Sequence, residues 1–340
     1  MKRLLAIINS RAGVGYGPSF LDDLRRKVTD LFSRNFQVTF QCAGDHQKIE
    51  KITHDFLMAD TSPAIILVGG GGGTLSAVIN GVCTSYTGSK LPDQSQILIG
   101  ALRMGSGNVL ARHFGAPADP FHGLELFAKA LEKNSITPCC IGKYEFIASE
   151  GDKCIRYAAT LAGFGLFGKV PGMLSRFHSN HDRLYRLLVR FFGIEKMTSI
   201  EYAGSLLIQG IQCLFGIRNP DDVQLVIPGE QWEISFKLIA GAVMNFPVKS
   251  LPFDVTANVS DEEIQVFFLP LKIKGSIIQY LMRPSTIKRD LIKISLTSGC
   301  SLQIFKHEQS PVEFFLDEDT FFFQKQLTVS PIGLLSFIRL

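Results

Sequence analysis

The chain has 340 residues, of which 46% are hydrophobic and 19% charged, and its formal net charge is +4. This composition excludes a largely disordered, collagen-like or coiled-coil chain and predicts a folded protein of about two domains. The charge is too small to indicate nucleic acid as a partner unless it is concentrated on one face.

The seven cysteines are scattered and form no C-x-x-C pair. They predict neither a disulfide framework nor a zinc site and favour a reducing compartment. No apolar run reaches the roughly 18 residues that a membrane helix needs, and the N-terminal run is too short for a signal peptide. We therefore predict a cytoplasmic protein whose contact with a membrane, where it has one, is peripheral.

The first part of the chain alternates apolar runs, which predict buried parallel strands, with stretches of helical periodicity. The predicted strands are Leu4–Ile8, Gln37–Gln41, Ala64–Val68 and Gln96–Leu102. The predicted helices are Phe20–Phe32, 45–59, Leu75–Cys83, Asn108–Phe114 and Pro120–Lys133. This alternation is typical of an α/β fold with a doubly wound parallel sheet.

Beyond about residue 136 short strands separated by turns replace that alternation, which predicts a mainly antiparallel β-sandwich. The predicted strands are Tyr144–Ser149, Tyr157–Leu161, Gly204–Gln209, Val223–Ile227, Ile234–Val243, Ile264–Leu269, Ile292–Thr297, Gln303–Lys306 and Val312–Leu316. We predict a first domain at residues 1–135 and a second at 136–340, with the C-terminal segment returning to the first.

One predicted helix, Asp182–Phe192, interrupts these strands. Its apolar residues follow helical spacing from Leu184, while Arg183, Arg186 and Arg190 share another face. A basic amphipathic helix of this kind is typical of contact with an anionic membrane. The alternative is a helix that packs on its own domain and leaves its basic face in solvent.

The densest chemical signal is Gly69–Thr74, the glycine loop, which joins a predicted strand directly to a predicted helix. Glycine lets backbone N–H groups approach a ligand, and a helix N-terminus favours an anion. The loop predicts a phosphate site formed by Gly70, Gly71, Gly72, Gly73 and Thr74. The alternative is a tight turn, since the loop has neither the Lys of a Walker motif nor the G-x-G-x-x-G register.

Two further loops follow predicted strands of the same sheet. The serine loop, residues 103–108, carries Arg103, Gly105, Ser106 and Asn108, and the N-terminal loop, residues 9–17, carries Asn9 and Arg11. Because the carboxyl ends of adjacent parallel strands face one crevice, we expect all three loops to line one nucleotide site.

In this order, the loops resemble motifs of the diacylglycerol kinase and sphingosine kinase superfamily. Asn9–Gly13 resembles N-P-x-S/A-G, Gly70–Thr74 resembles G-G-D-G-T, and Gly105–Asn108 resembles G-S/T-G-N. Later in the chain, Leu161–Gly165 is similar to the family's G-x-G motif, and Asp317–Asp319 occupies the place of its D-G-E. The resemblance covers nearly the whole chain and implies an NAD kinase-like first domain.

The resemblance also implies an activity, which is ATP-dependent phosphorylation of a lipid hydroxyl of the sphingoid base or diacylglycerol type. ATP and Mg²⁺ are the implied cofactors, and a lipid substrate is the implied partner. Asp317 and Asp319 are the implied catalytic groups, and Asp317 is also the implied metal ligand.

This sequence lacks several acidic residues that the family has. At the corresponding positions it has Gly72, Ala77 and Val109. The family's substrate-side Asp corresponds to Phe167 or Lys169. Carboxylate-bound metal ions supply much of the charge neutralisation in phosphoryl transfer, so these losses weaken the expectation of activity. The alternative is a catalytically silent pseudokinase that binds nucleotide or lipid at a membrane surface. An NAD kinase is a third interpretation, which the motifs of the N-terminal and serine loops disfavour.

The chain also has 27 Phe against one Trp and seven Tyr. Phe has no polar group, so this excess favours thick cores, apolar ligand pockets or surfaces that meet lipid. The Phe-rich C-terminal run is predicted either to line a lipid pocket or to form core.

Overall fold

The computed structural model describes residues 2–12, 16–86, 91–93, 95–105, 108–148, 151–180, 194–217, 219–244, 262–283, 286–306, 310–317 and 319–340. The chain divides into two compact units. The first comprises Met1–Ile141 and Ile332–Leu340, and the second comprises Gly142–Pro331.

The first unit contains an open parallel sheet. Its strands are β1 (Lys2–Asn9), β2 (Phe36–Ala43), β3 (Ala64–Gly70), β4 (Ile97–Arg103) and the end of β14 (Asp319–Ile338). They lie in the order β2-β1-β3-β4-β14, and each neighbouring pair in this unit is parallel. The central strands β1 and β3 are buried almost throughout, which is why they are continuous apolar runs in the sequence.

The helices that follow these strands in the sequence pack against the sheet. They are α1 (Pro18–Phe32), α2 (His46–Met58), α3 (Gly72–Ser85), α4 (Val109–His113) and α5 (Pro120–Glu132). Leu4, Ala6 and Ile8, on one face of β1, belong to the same buried cluster as residues of α1 and α5. The predicted doubly wound α/β arrangement is confirmed, and each predicted strand and helix of this unit is present within a few residues.

The helix that carries the glycine loop at its start is held close to its neighbour. A Cβ at Gly81 of α3 would lie 2.6 Å from the carbonyl oxygen of Glu50 and 2.7 Å from Thr53 Cβ, both in α2. Only a glycine allows the two helices to approach this closely. This contact fixes the position of α3 and therefore of its N-terminal turn.

The second unit is mainly antiparallel β. Its strands are β5 (Ile136–Ile147), which begins in the first unit, β6 (Lys153–Ala158), β7 (Leu161–Phe164), β8 (Asp221–Ile227), β9 (Trp232–Met244), β10 (Glu263–Pro270), β11 (Ile292–Thr297), β12 (Leu302–Lys306), β13 (Val312–Leu316) and the first part of β14. The strand pairings close into a ring in the order β9-β7-β13-β14-β12-β8 and back to β9. Two paths therefore connect β9 to β14, one through β7 and β13 and the other through β8 and β12. The predicted antiparallel β-rich second part is confirmed.

Helices of the second unit lie between these strands. They are α6 (Gly165–Gly168), α7 (Val170–Asn180), α8 (Ile194–Leu214), α9 (Lys274–Met282) and α10 (Ile287–Asp290). The predicted strand Gly204–Gln209 is wrong, because these residues lie within α8. The buried residues Ser205, Gln209 and Cys213 recur at intervals of four, which is helical spacing. The predicted basic helix Asp182–Phe192 lies outside the described residues.

The phenylalanines of the second unit form core. Phe314 stacks on Phe164 at 5.8 Å between ring centroids and meets Phe146 and Phe323 edge to face. Phe314 and Phe323 are fully buried. Of the two predicted uses of the Phe-rich C-terminal run, packing is the one seen for these residues. In the described part of the chain, no helix is long and apolar enough to cross a membrane.

The buried Tyr280 should make the free energy of unfolding decrease at alkaline pH. Its hydroxyl donates to Asp290 Oδ2 at 2.8 Å, and burial together with this carboxylate raises the pKa of Tyr280 to about 12 from 10.0. The folded state therefore retains the phenol proton more tightly than the unfolded chain. The resulting stabilisation is complete below pH 10 and is lost as the pH rises toward 12.

We expect the free energy of unfolding of the natural chain to fall over this interval and that of a Tyr280→Phe variant to fall less. Denaturant titrations at several pH values measure this difference. An Asp290→Asn variant should shift the pKa of Tyr280 back toward 10.0, as read from phenolate absorbance. Identical alkaline profiles for Tyr280→Phe and the natural chain would contradict the assignment.

Candidate functional site

The topology of the first unit brings the three predicted loops to one edge of the sheet. β1 and β4 lie on either side of β3, and all three strands are parallel. Ile8 pairs with Gly69, and Gly70 pairs with Arg103, so the strands end at nearly the same level. The N-terminal, glycine and serine loops all begin at this edge, as expected for a ligand site of an open α/β sheet.

Asn9 connects the N-terminal loop to the first turn of α3. Its side chain is buried, and its amide nitrogen Nδ2 donates to Thr74 Oγ1 at 2.8 Å. Its Oδ1 accepts the backbone N–H of Arg11 at 2.9 Å. Two predicted nucleotide-site residues, Asn9 and Thr74, are therefore in direct contact, and their contact fixes the relative position of the two loops.

The glycine loop contains two kinds of glycine. Gly69 and Gly70 are buried, and a Cβ at Gly70 would lie 2.3 Å from Thr74 Oγ1. A Cβ at Gly69 would lie 2.5 Å from Ile8 Cδ1. Packing thus accounts for these two glycines without a ligand. Gly71 and Gly72 are partly exposed, and they are the members of the loop that a ligand can approach.

The serine loop packs directly on the glycine loop. Met104 donates its N–H to the Gly70 carbonyl at 3.2 Å, and a Cβ at Gly105 would lie 2.3 Å from Gly71 Cα. Arg103 is half-buried at the end of β4. The predicted residue Ser106 lies outside the described residues. The two loops form one layer of closely packed backbone beside the N-terminus of α3.

The side chain of Asn108 forms hydrogen bonds within the serine loop. It has a left-handed backbone with φ of 49°, which Asn tolerates better than most residues. Its Oδ1 accepts the Gly105 N–H at 3.1 Å, and its Nδ2 donates to the Gly105 carbonyl oxygen. Asn108 is buried, so in this structure its amide supports the loop conformation.

The beginning of α3 has the character of an anion site. Gly71 is the N-cap residue of this 14-residue helix, and no side chain caps its first N–H groups. Uncapped N–H groups and the helix dipole together favour a phosphate group. Arg11 is an exposed cation on the N-terminal loop, and its side chain lies against Gly44, where a Cβ would be 2.9 Å from its Cδ.

Asp317 lies in the turn between β13 and β14 of the second unit and is buried. Its Oδ1 accepts the backbone N–H groups of Thr160 at 3.0 Å and Leu161 at 3.1 Å, as well as the Thr160 hydroxyl. Its Oδ2 accepts the Ala159 N–H at 3.3 Å. Burial raises the pKa of Asp317, while these four donors act in the opposite direction. Asp319 is partly exposed at the start of β14.

Magnesium prefers oxygen ligands, and carboxylates are its usual protein ligands. The family's loop carboxylate falls at Gly72, which has no side chain, and the Asp317 carboxylate already accepts four hydrogen bonds. Within the described ranges, no group of three or more His, Cys, Asp or Glu side chains could hold a metal ion. The described side chains therefore do not fit a magnesium ion held by the protein, whereas the backbone of the glycine loop fits a phosphate.

Sequence reasoning missed two contacts in the second unit. Thr160 is the hydroxyl partner of Asp317, and no motif marks it. Lys169, one of the two positions where the family's substrate-side Asp falls, has its Nζ 3.5 Å from Asp221 Oδ2, and the buried Lys306 bonds the other oxygen of Asp221 at 3.0 Å. In the alignment that places the family's substrate-side Asp at Lys169, a cation replaces that acid and pairs with Asp221 of β8.

The fold and the loops define an open α/β domain with three loops at one edge of its parallel sheet. Residues 3–139 match the family model of the diacylglycerol kinase catalytic domain. The resemblance predicted from the loop motifs is confirmed.

Solved structures extend the likeness to the whole fold. A candidate diacylglycerol kinase of Bacillus anthracis str. Sterne is 16% identical, with a TM-score of 0.63 over 99% of this chain and 97% of that one. A diacylglycerol kinase of the same organism is 15% identical, with a TM-score of 0.59 over the same shares. Yeast NADH kinase in complex with NADH is 9% identical, with a TM-score of 0.54 over 99% and 83% of the two chains. No curated protein sequence matches this chain significantly. The predicted two-part fold with an NAD kinase-like first part is confirmed.

Proposed function

We propose that the protein binds ATP at the glycine loop and transfers its γ-phosphate to the hydroxyl of a lipid of the sphingoid base or diacylglycerol type. The observation that carries this proposal is the mutual fixing of the three loops. Asn9 bonds Thr74, Met104 bonds Gly70, and Gly105 packs on Gly71. Such a preorganised backbone presents N–H groups to a phosphate without the cost of ordering a mobile loop.

In this proposal the residues divide into ligand-binding and supporting groups. The N–H groups of Gly71 and Gly72, the partly exposed glycines of the loop, bind phosphate oxygens at the start of α3. Arg11, Arg103 and Ser106 supply further donors, since guanidinium and hydroxyl groups suit phosphate. Asn9, Gly70, Thr74, Gly105 and Asn108 hold the backbone in place.

The chemistry of the transfer needs a base for the lipid hydroxyl and neutralisation of the charge on the phosphoryl group. We assign the base to the acidic turn that the family resemblance indicates, at Asp319 or Asp317. Of the two, Asp319 has the more accessible carboxylate, because it is partly exposed whereas Asp317 is buried. Because the described side chains do not fit a magnesium ion held by the protein, we assign no residue of the chain to one.

A direct assay tests the proposal. The purified protein is incubated with labelled ATP, magnesium and a panel of sphingoid bases and diacylglycerols, and lipid phosphate is measured against a heat-inactivated control. Calorimetric titration with ATP, with and without magnesium, reports binding separately from turnover. We expect ATP to bind in both conditions. The absence of lipid phosphate above the control would overturn the kinase assignment.

The second candidate is a catalytically silent protein that binds nucleotide or lipid. The observation that favours it is Gly72, because the residue at the family's loop carboxylate carries no side chain. The two candidates predict the same nucleotide binding but differ in lipid phosphorylation.

A Gly72→Asp variant separates these candidates. Gly72 is the first residue of α3 and is partly exposed, and a carboxylate there is favoured by the helix N-terminus. If the chain is a kinase weakened at this position, the new carboxylate restores a metal ligand, and turnover should rise at least about tenfold.

The matched control is Gly72→Asn, which has the same size and no charge. We expect it to leave turnover unchanged, as measured in the labelled-ATP assay. Unchanged turnover in Gly72→Asp with ATP binding retained would support the silent binder instead.

A further inference from the structure

Two neighbouring helices of the second unit, α8 and α9, expose an unusual number of apolar side chains. The helices pack against each other, and their inner faces contribute Cys213, Ile277 and Tyr280 to one buried cluster. Their outer faces carry the helix-pair patch, which comprises Leu207, Ile208, Ile211, Phe215, Ile278 and Met282. Phe215, which directly follows α8, is 73% exposed, and Met282 is 77% exposed.

From Ser205 to Ile211, α8 buries polar side chains and exposes several apolar ones. Ser205 and Gln209, one turn apart, are buried and lie on the same face as Cys213. Leu207, Ile208 and Ile211 point away from that face and are each more than 40% exposed. Leu206 of the same helix packs against the buried cluster, as an apolar residue of a surface helix normally does. Folding of the unit does not account for the exposure of Leu207, Ile208 and Ile211. Contiguous exposed apolar surface of this kind marks an interaction site.

Most of the charged residues near the patch are basic. The stretch 203–217, which covers the second half of α8 and the residues directly after it, has no Asp, Glu, Lys or Arg. Around α9, residues 272–290 contain five Lys or Arg and one Asp. Four of these cations, Lys272, Arg283, Lys288 and Arg289, are exposed. The patch is therefore an apolar surface with a basic border.

We infer that the helix-pair patch docks the protein on an anionic lipid bilayer. The apolar side chains would enter the acyl boundary, and the basic border would contact lipid phosphate groups. A second copy of the chain fits less well, because a symmetric contact through this patch would bring the two basic borders together. The inference goes beyond the proposed phosphotransfer, since binding to a bilayer requires neither ATP nor turnover.

Sedimentation of the full chain with lipid vesicles tests the inference. One set of vesicles contains phosphatidylcholine alone, and the other also contains phosphatidylglycerol. We expect binding to the anionic vesicles only, and weaker binding at high salt because screening reduces the attraction.

Two variants assign the binding to the patch. A Phe215→Gln/Met282→Gln variant should bind anionic vesicles at least about tenfold more weakly, because two exposed apolar anchors are removed. An Arg283→Gln/Arg289→Gln variant should lose binding to a similar extent at low salt, since each cation near an anionic surface contributes about fivefold. Both changes are at exposed side chains, and ATP binding should remain as in the natural chain.

The matched control is Ile147→Gln/Ile155→Gln, which changes two exposed apolar residues on the β5–β6 pair of the same unit. This control should bind vesicles like the natural chain. The inference is overturned if the natural chain does not bind anionic vesicles, or if the control loses binding as strongly as the patch variant. It is also overturned if the natural chain is a dimer that the patch variant converts to a monomer while vesicle binding is unchanged.

Discussion

A Gly105→Ala variant is expected to bind ATP at least about tenfold more weakly and to lose about 2 kcal/mol of its free energy of unfolding. The added Cβ would lie 2.3 Å from Gly71 Cα and 2.8 Å from Gly71 N. These are backbone atoms of the glycine loop and cannot rotate away, so the two loops must separate. The separation displaces the N–H groups that the proposal assigns to phosphate. Calorimetric titration with ATP and denaturant unfolding measure the two effects.

Gly17→Ala is the matched control for this variant. Gly17 precedes α1 in the same unit, has a φ of −81°, and has nothing within 4 Å of an added Cβ. We expect its ATP binding and stability to be those of the natural chain. A Gly105→Ala variant that binds ATP with natural affinity would contradict the placement of the nucleotide at the glycine loop.

An Asp317→Ala variant is expected to lose about 3 kcal/mol of the free energy of unfolding. The change leaves three backbone N–H groups and the Thr160 hydroxyl without their acceptor, and the N–H of the fully buried Ala159 is among them. It also places Ala at a φ of 51°, which favours Asn, Asp or Gly. Thermal or denaturant unfolding measures the loss.

Two companion variants distinguish a structural role of Asp317 from a catalytic one. Asp317→Asn keeps the side-chain size, one acceptor oxygen and a residue type that tolerates the left-handed turn, so its stability should fall by only about 1 kcal/mol. Thr160→Val removes one donor and should cost a similar amount. If Asp317 acts mainly as a support, lipid phosphorylation should survive in Asp317→Asn. Loss of turnover in a folded Asp317→Asn variant would instead favour its role as base.

Much of the first unit could be predicted from local patterns. Its strands are buried on both faces, so each is a continuous apolar run, and its helices carry apolar residues at regular helical spacing. The loops between them are marked by glycine. Each of these patterns is confined to a few neighbouring residues, so the local sequence is enough to predict each strand, helix and loop of this unit.

The second unit was harder to predict because its signals depend on distant contacts. The strand predicted at Gly204–Gln209 is wrong, since these residues lie in α8, which buries Ser205 and Gln209 and exposes Leu207 and Ile208. A helix with this distribution has no clear amphipathic pattern toward the core. The long strand β14 was also not predicted as one element, because it pairs with β12 and β13 in one unit and with β4 in the other.

The sequence by itself determined the order of the motifs, the parallel α/β class of the first unit and the absence of the family's acids at Gly72, Ala77 and Val109. Only the tertiary structure decided which glycines are fixed by packing, that Asn9 bonds Thr74 across 65 positions, and that Asp317 bonds Ala159–Leu161. The reason is that periodicity and motif order are properties of neighbouring residues. Hydrogen bonds and close contacts depend on distances that arise only when remote segments fold together.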